Sequence, residues 1–271
     1  YNGTPIIYDT NNPLYPKYYY VYTYEWSGNR LKKFLDPQKT IEYEYNENGQ
    51  LTKKKINGTL DRELYYDGDL LIREKTSSYV LDYLYDEVNQ LYGFIYNHEY
   101  KYLYVRDVFQ NIIGIVDSEG ELVVKYYYNA FGVVTNVEDT SREELSLINP
   151  FRYKGYYYDF ETGLFMVGHR YYNPEWGRWI SPDSIEYLDP SSINGLNLYA
   201  YCNNDPVNMI DPDGHAPKWV KIFLKGLYFA VDKLLDVLYG KKTLPKILNF
   251  VNSFTSRVRK YCFIGIYVTI K

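Results

Sequence analysis

A short motif recurs along the first half of the chain: Tyr-x-Tyr, usually followed by Asp or Asn, a polar turn and a leucine. Its second tyrosine falls at Tyr24, Tyr45, Tyr66, Tyr85, Tyr104 and Tyr128, so the period is about 20 residues. In each copy apolar and polar residues alternate up to a turn and then resume, which is typical of a β-hairpin. Because a lone hairpin cannot bury a face, successive hairpins must pair into a continuous sheet. The repeat therefore predicts a mostly β fold, with an ordinary tyrosine-rich sandwich as the alternative.

The composition agrees with wide sheets. The 271 residues include 36 Tyr but only 12 Phe. A tyrosine ring can be buried while its hydroxyl contacts water or a polar partner, and tyrosine favours strands. Cys202 and Cys262 are too few for a disulfide framework. No signal-peptide pattern opens the chain, which begins at Tyr1 within the tyrosine-rich pattern, so we expect a C-terminal piece of a longer protein.

Charge divides the chain into two unlike parts. Residues 216–271 contain eleven Lys or Arg and two Asp, a formal charge of +9, whereas the residues before them carry −13. Opposite signs indicate different roles for the two parts. An acidic sheet could also neutralise a basic segment held close to it.

Two stretches of the second half carry the most specific pattern. Residues 151–183 read FRYKGYYYDFETGLFMVGHRYYNPEWGRWISPD, and residues 195–214 read GLNLYAYCNNDPVNMIDPDG. Together with the repeats, they resemble the YD-repeat proteins of the Rhs and wall-associated polymorphic-toxin family, which includes the C component of insecticidal toxin complexes. The resemblance covers about residues 18–215. Its specific part, residues 150–214, resembles the Rhs-associated core that ends such repeat arrays.

This resemblance implies an architecture. The repeats would spiral into a hollow β-shell, the core would close one end, and a variable effector would be held inside. We therefore expect a YD-repeat array in residues 1–135, the core in 136–215 and a variable tail in 216–271. It also implies a protein that is secreted or displayed on a bacterial surface. Its partners would be an upstream YD-repeat shell and an immunity protein for the tail.

Aspartates are the candidates for chemistry. Two neighbouring carboxylates can share a proton, so that one acts as a base and the other as an acid. Asp-Pro and Asp-Gly are also ordinary turn formers, and a purely structural role is the alternative. The resemblance implies a single aspartyl self-cleavage after His215, with Asp183 and Asp211 as the pair and Arg178 orienting a carboxylate.

The chain departs from the family pattern around these residues. His215 stands where the family usually has leucine, and Ser184 stands where it has proline. The segment 186–194 is also longer than usual. No cofactor or metal is expected, because His98, His169 and His215 lack metal-ligand spacing and no phosphate-binding or dinucleotide motif is present.

The tail has a helical period from Pro217 to Gly240, and a second helix fits residues 244–260. Residues 262–270 have the pattern of a short buried strand. A basic amphipathic segment suits an anionic membrane surface, but the leading part of an effector or a docked helical appendage would fit as well. The tail contains no His or Glu, so few general bases are available and a nucleic-acid target is not expected.

Two other functions stay open. One is a wall-associated adhesin whose tyrosine-rich grooves bind carbohydrate without any cleavage. The other is a displaced, orphan C-terminal module that no longer works alone. A shell that encloses a C-terminal toxin-like segment, and cuts it free, is the function that the resemblance implies.

Overall fold

A long antiparallel meander forms most of the structure. The computed structural model describes residues 23–28, 30–36, 38–184, 186 and 196–215, together with the backbone of Lys218 and Trp219. Within these residues, strands β1 to β12 follow one another in a single sheet in sequence order. Their bounds are Thr23–Ser27, Arg30–Leu35, Thr40–Tyr45, Leu51–Ile56, Thr59–Asp67, Leu70–Thr76, Val80–Tyr85, Leu91–Tyr96, Tyr100–Arg106, Ile112–Val116, Leu122–Tyr128 and Val134–Asp139. The predicted mostly β fold of stacked hairpins is confirmed, because the repeat strands pair in sequence order within one continuous sheet.

The Asp or Asn of the motif closes the turn that follows it. Asp86 Oδ1 accepts hydrogen bonds from the backbone N–H groups of Val88, at 2.9 Å, and Gln90, at 2.8 Å. The same bond to the residue four positions on is made by Asn46, Asp107, Asp117 and Asn129. A short polar side chain that caps its own turn explains why the motif needs Asp or Asn there.

The second tyrosine of the motif joins neighbouring strands. The hydroxyl of Tyr45 donates to the Leu31 carbonyl at 2.7 Å, and that of Tyr85 donates to the Leu71 carbonyl at 2.9 Å. Tyr128 does the same with Ile112 at 2.8 Å. The rings pack against the hydrophobic core while their hydroxyls are satisfied inside the sheet.

The two faces of the long sheet differ in chemistry. One face is apolar, and its buried residues include Leu31, Phe34, Ile41, Leu81, Phe94, Ile115 and Tyr126. The other face carries cross-strand ion pairs, such as Lys33 with Glu42 at 3.4 Å and Lys125 with Glu138 at 2.9 Å. The apolar face is the one that receives the rest of the chain.

A smaller sheet packs on that apolar face. After a short helix, α1 (Leu145–Ile148), and a 3₁₀ turn at Tyr153–Gly155, four strands pair in order: β13 (Tyr157–Asp159), β14 (Leu164–Val167), β15 (Arg170–Asn173) and β16 (Arg178–Trp179). A second 3₁₀ turn, Cys202–Asn204, leads to β17 (Met209–Ile210), which pairs with β18 (Lys218–Trp219). We call this second half the core unit.

Buried polar contacts join the core unit to the long sheet. Tyr43 donates to Asp159 at 2.5 Å, and Lys54 forms an ion pair with the same carboxylate. On the adjacent strands, Arg62 contacts Glu74 at 3.0 Å, and the Tyr157 hydroxyl donates to Glu74 at 2.8 Å. These contacts fix how β13 lies against the repeat strands.

The structure corrects one expectation for the tail. Lys218 and Trp219 form a strand paired with Met209 and Ile210, so the helix expected from Pro217 is wrong at these two positions. The free backbone edge of β17 accounts for this, because pairing with it overrides a local helical pattern. The helices and strand expected further along the tail lie outside the described residues. No helix in the part that the structure describes is long and apolar enough to cross a membrane.

Two of the expected domain limits can be compared with the bounds of the strands. The limit between residues 135 and 136 falls inside β12, and the long sheet ends at Asp139. The limit between residues 215 and 216 is crossed by the pairing of β17 with β18.

Candidate functional site

The site begins where two backbone segments touch. Gly168 lies in the turn between β14 and β15 with φ 55°, and Gly214 lies in the loop after β17 with φ 82°. A Cβ at Gly168 would lie 2.1 Å from the Asp213 carbonyl oxygen, and one at Gly214 would lie 2.5 Å from the Val167 carbonyl oxygen. Only glycine permits both this approach and these left-handed conformations. The loop at residues 211–215, which we call the aspartate loop, is therefore held directly on the hairpin.

Replacing Gly168 by Ala should separate these segments. The added methyl group meets a backbone oxygen, and φ is left-handed, so we expect a loss of on the order of 3 kcal/mol in the free energy of unfolding. Gly163→Ala is the matched control, since its φ is 71° but its Cβ would meet nothing nearer than the Tyr158 hydroxyl at 3.7 Å. The comparison is made by urea denaturation, and equal losses in the two variants would contradict the close packing.

Arg170, the first residue of β15, lies at the centre of the site. Its side chain is buried, and its guanidinium carbon lies 4.1 Å from the centre of the Trp179 ring. Its Nη2 lies 2.7 Å from Asp183 Oδ2 and 3.6 Å from Asp211 Oδ2. One cation therefore joins two buried carboxylates that are distant in sequence, which is the arrangement that a buried charge requires.

The same guanidinium also holds backbone. Arg170 Nε donates to the Gly214 carbonyl, and Nη1 donates to the Leu198 carbonyl at 3.3 Å. These contacts bring together the aspartate loop, the segment at residue 198 and the start of β15. Planar Arg has several donors at fixed angles, and Lys could not make all of these contacts at once.

Three partners hold the Asp183 carboxylate. Its Oδ2 faces Arg170, whereas its Oδ1 accepts from the Ser184 N–H at 2.8 Å and lies 2.9 Å from His215 Nδ1. The Asp183 N–H donates to the Leu198 carbonyl at 3.1 Å. Asp183 is thus an almost fully buried carboxylate with a fixed orientation.

Asp211 organises the aspartate loop. Its Oδ1 accepts from the N–H groups of Gly214 and His215, at 2.9 and 3.0 Å. The Tyr156 hydroxyl donates to the Asp211 carbonyl at 2.8 Å. Burial raises the pKa of the Asp211 carboxyl to about 6, with Arg170 opposing the rise and Asp213 adding to it. A carboxyl with this pKa can be protonated in mild acid, so it can act as an acid there.

The sequence and the structure differ on the arginine. Asp183 and Asp211, which were predicted as a pair, both lie against the guanidinium of Arg170. Arg178 instead lies exposed on β16, where it pairs with Asn173 and bridges to Ala200. The guanidinium at the carboxylates belongs to Arg170, which was not among the predicted site residues. Its position as a charged residue at the start of a tyrosine-rich strand is visible in the sequence, but that position does not identify its partners.

The site opens on one side to a cleft of about 610 Å³, lined by Ser27, Gly28, Arg30, His169 and His215. The ring centres of the two histidines are 6.3 Å apart. Burial lowers the pKa of His169, and the nearby Arg30 and His215 lower it further. Within the described residues, no three His, Cys, Asp or Glu side chains are grouped to hold a metal ion.

The structure is an antiparallel meander of hairpins, in which tyrosine hydroxyls bond to neighbouring strands and Asp or Asn side chains cap the turns. A small core unit packs on the apolar face of this meander. This arrangement defines a β-shell repeat protein. Residues 8–207 match the family model described as Teneurin YD-shell. The chain therefore belongs to the Rhs/YD-repeat family of shell proteins.

The curated proteins that resemble this chain are much longer than it. It is 33% identical over 237 residues to the tRNA3(Ser)-specific nuclease WapA of Bacillus spizizenii, a match covering 85% of this chain and 10% of that protein. It is 36% identical over 125 residues to toxin subunit YenC1 of Yersinia entomophaga, covering 45% of this chain and 12% of the subunit. The chain thus spans about a tenth of the length of these curated relatives.

Solved structures share the fold. The TcdB2-TccC3 crystal structure matches with a TM-score of 0.53 and 21% identity, covering 72% of this chain and 10% of that one. The Photorhabdus luminescens Tc holotoxin pore matches with a TM-score of 0.53 and 20% identity, covering 73% and 10%. At this level of identity the likeness is one of fold.

Proposed function

We propose that this chain is the closing end of a YD-repeat shell and cuts itself once, after His215, to free the segment 216–271. The supporting observation is that Asp183 and Asp211, both buried, meet at Arg170 beside the backbone that leads to this bond. Relatives named as a toxin subunit and as tRNA nucleases support a toxin-like role for the whole protein.

The geometry suggests how the two carboxylates divide the chemistry. Asp183, ion-paired with Arg170, accepts a proton from water as the water oxygen adds to the His215 carbonyl carbon. Asp211, whose pKa of about 6 allows protonation, donates its proton to the Ala216 nitrogen. The carbon–nitrogen bond then breaks, leaving a carboxyl group on His215 and an amino group on Ala216. Arg170 holds the Gly214 carbonyl and so fixes the preceding backbone.

Intact mass of the expressed chain tests this proposal. We expect the wild type to give two fragments that meet between residues 215 and 216, whereas Asp183→Asn and Asp211→Asn stay full length because each removes one half of the acid–base pair. Asp205→Asn is the matched control, since Asp205 also precedes a proline but its carboxylate accepts hydrogen bonds from Asn208. It should cleave like the wild type.

The pH dependence of the cleavage rate is a second measurement on the same proposal. Asp211 must be protonated to act as the acid, so cleavage should slow as pH rises through about 6. The chain is denatured, refolded at several pH values and sampled with time. A full-length wild type at every pH would overturn the self-cleavage and favour the wall-associated adhesin that binds without cutting.

The wider context belongs to the same proposal. We propose three units, a repeat array in residues 1–135, a core in 136–215 and a variable tail in 216–271, with β12 and the pairing of β17 with β18 crossing their limits. Its partners would be the upstream repeats of a longer shell and an immunity protein for the tail. Secretion or display at the cell surface is supported by the toxin-related relatives.

A further inference from the structure

We propose that His215 sets the rate of the cut, because its imidazole occupies the Asp183 oxygen that the reaction needs. This inference rests on the proposed self-cleavage and adds a specificity-determining residue to it. It concerns the side chain of the residue whose own carbonyl would be attacked.

Hydrogen bonds already occupy Oδ1 of the Asp183 carboxylate. With Asp183 ionised opposite Arg170, its oxygens only accept hydrogen bonds, so His215 Nδ1 is the donor across 2.9 Å. The Ser184 N–H is the second donor to the same oxygen, Oδ1. A carboxylate oxygen has about two acceptor positions, so Oδ1 is filled. A water molecule that Asp183 activates there must displace the imidazole.

The backbone of His215 is also hydrogen-bonded to the aspartate loop. Its N–H donates to Asp211 Oδ1 at 3.0 Å and to Asp213 Oδ1 at 3.2 Å. One residue thus engages Asp183 through its ring and Asp211 through its main chain. The structure therefore describes a resting arrangement in which the residue before the cut occupies both carboxylates.

The cleft beside His215 leaves room for its imidazole ring to rotate away from Asp183. The His215 side chain is 26% exposed, whereas that of Asp183 is 5% exposed. The ring lines the open cleft together with Ser27, Gly28, Arg30 and His169. Rotation into this cleft would uncover Asp183 Oδ1 without moving the buried Arg170. A side chain that cannot bond to Asp183 would leave that oxygen open from the start.

The test compares His215→Leu and His215→Asn with the wild type in the full chain, after refolding, by intact mass against time. Leucine removes the hydrogen bond, and cleavage is expected to be faster by about tenfold or more, the usual weight of a bond to a charged group. Asparagine can present an amide N–H near the place of Nδ1 and should cleave at about the wild-type rate. Adding Asp183→Asn to His215→Leu should abolish cleavage.

The outcomes separate the two proposals. If the wild type cleaves and His215→Leu cleaves no faster, the role of His215 is overturned while the self-cleavage stands. If neither cleaves, the self-cleavage itself fails, and the role of His215 with it. An intact wild type beside a cleaved His215→Leu variant would overturn self-cleavage by the wild-type chain and support the blocking role of His215. His215→Phe keeps a ring without nitrogen and replaces the leucine variant if that one does not refold.

Discussion

Arg170→Leu is expected to lower the free energy of unfolding by about 3–5 kcal/mol, because it leaves two buried carboxylates without their cation. Asp183 and Asp211 both contact this guanidinium, and the Gly214 carbonyl loses its donor at the same time. Urea denaturation followed by tryptophan fluorescence is a suitable measurement, since Trp179 lies directly under the guanidinium. The same variant should not cleave itself.

Two controls make that result specific. Arg178→Leu removes an exposed arginine from the adjacent strand and should change stability by less than about 0.5 kcal/mol. Combining Arg170→Leu with Asp183→Asn and Asp211→Asn removes the unpaired charges, so part of the lost stability should return. A loss of under about 1 kcal/mol for Arg170→Leu alone would show that the carboxylates do not depend on this cation.

Arg62→Leu is expected to have a loss of similar size, about 3–5 kcal/mol, at the contact between the two sheets. Glu74, its partner at 3.0 Å, is fully buried and would be left with only the hydroxyls of Tyr157 and Tyr83, at 2.8 and 3.3 Å. Because Tyr157 belongs to β13, the change should also loosen the core unit from the long sheet. Thermal unfolding and limited proteolysis of the core unit measure the two effects.

The neighbouring strand supplies the matched control. Arg73 lies on β6 with Glu74 but points to the opposite face, where it is 45% exposed and pairs with Asp82. Exposed ion pairs contribute about 0–1 kcal/mol, so Arg73→Leu should be nearly silent. Equal losses for Arg62→Leu and Arg73→Leu would argue against a buried polar link between the sheets.

The repeat could be predicted from sequence because its chemistry is local. Asp86 caps a turn only a few residues away, and Tyr85 reaches a carbonyl 14 residues back, on a strand of the same hairpin series. Contacts at this range recur with the motif itself. The alternation of apolar and polar residues then fixes which face is buried.

The choice of arginine could not be settled in the same way. Arg170 meets Asp183 and Gly214 only after the chain has folded across 13 and 44 residues, and no local pattern encodes that meeting. In the structure Arg178 precedes the buried Trp179 on β16, and neighbouring residues of a strand face opposite sides, so the Arg178 side chain lies on the exposed side.

The buried polar contacts between the two sheets could not be predicted from the sequence either. Arg62 and Glu74 lie 12 residues apart on adjacent strands, but Tyr157 lies 83 residues beyond Glu74. The strand at Lys218–Trp219 shows the same limit, since its partner edge exists only once β17 is in place. Each of these features is decided by a tertiary partner.

The pairing of β17 with β18 has a consequence for the timing of release. It joins Met209–Ile210 to Lys218–Trp219, on opposite sides of the proposed cut. Hydrolysis would therefore yield a nicked complex, with the new amino terminus still attached to the core unit as a non-covalent edge strand. A ladder of two residues is weak, at about 1 kcal/mol for each hydrogen bond. Breaking the covalent bond and letting the tail leave would then be two separate events, the second governed by how easily this short ladder opens.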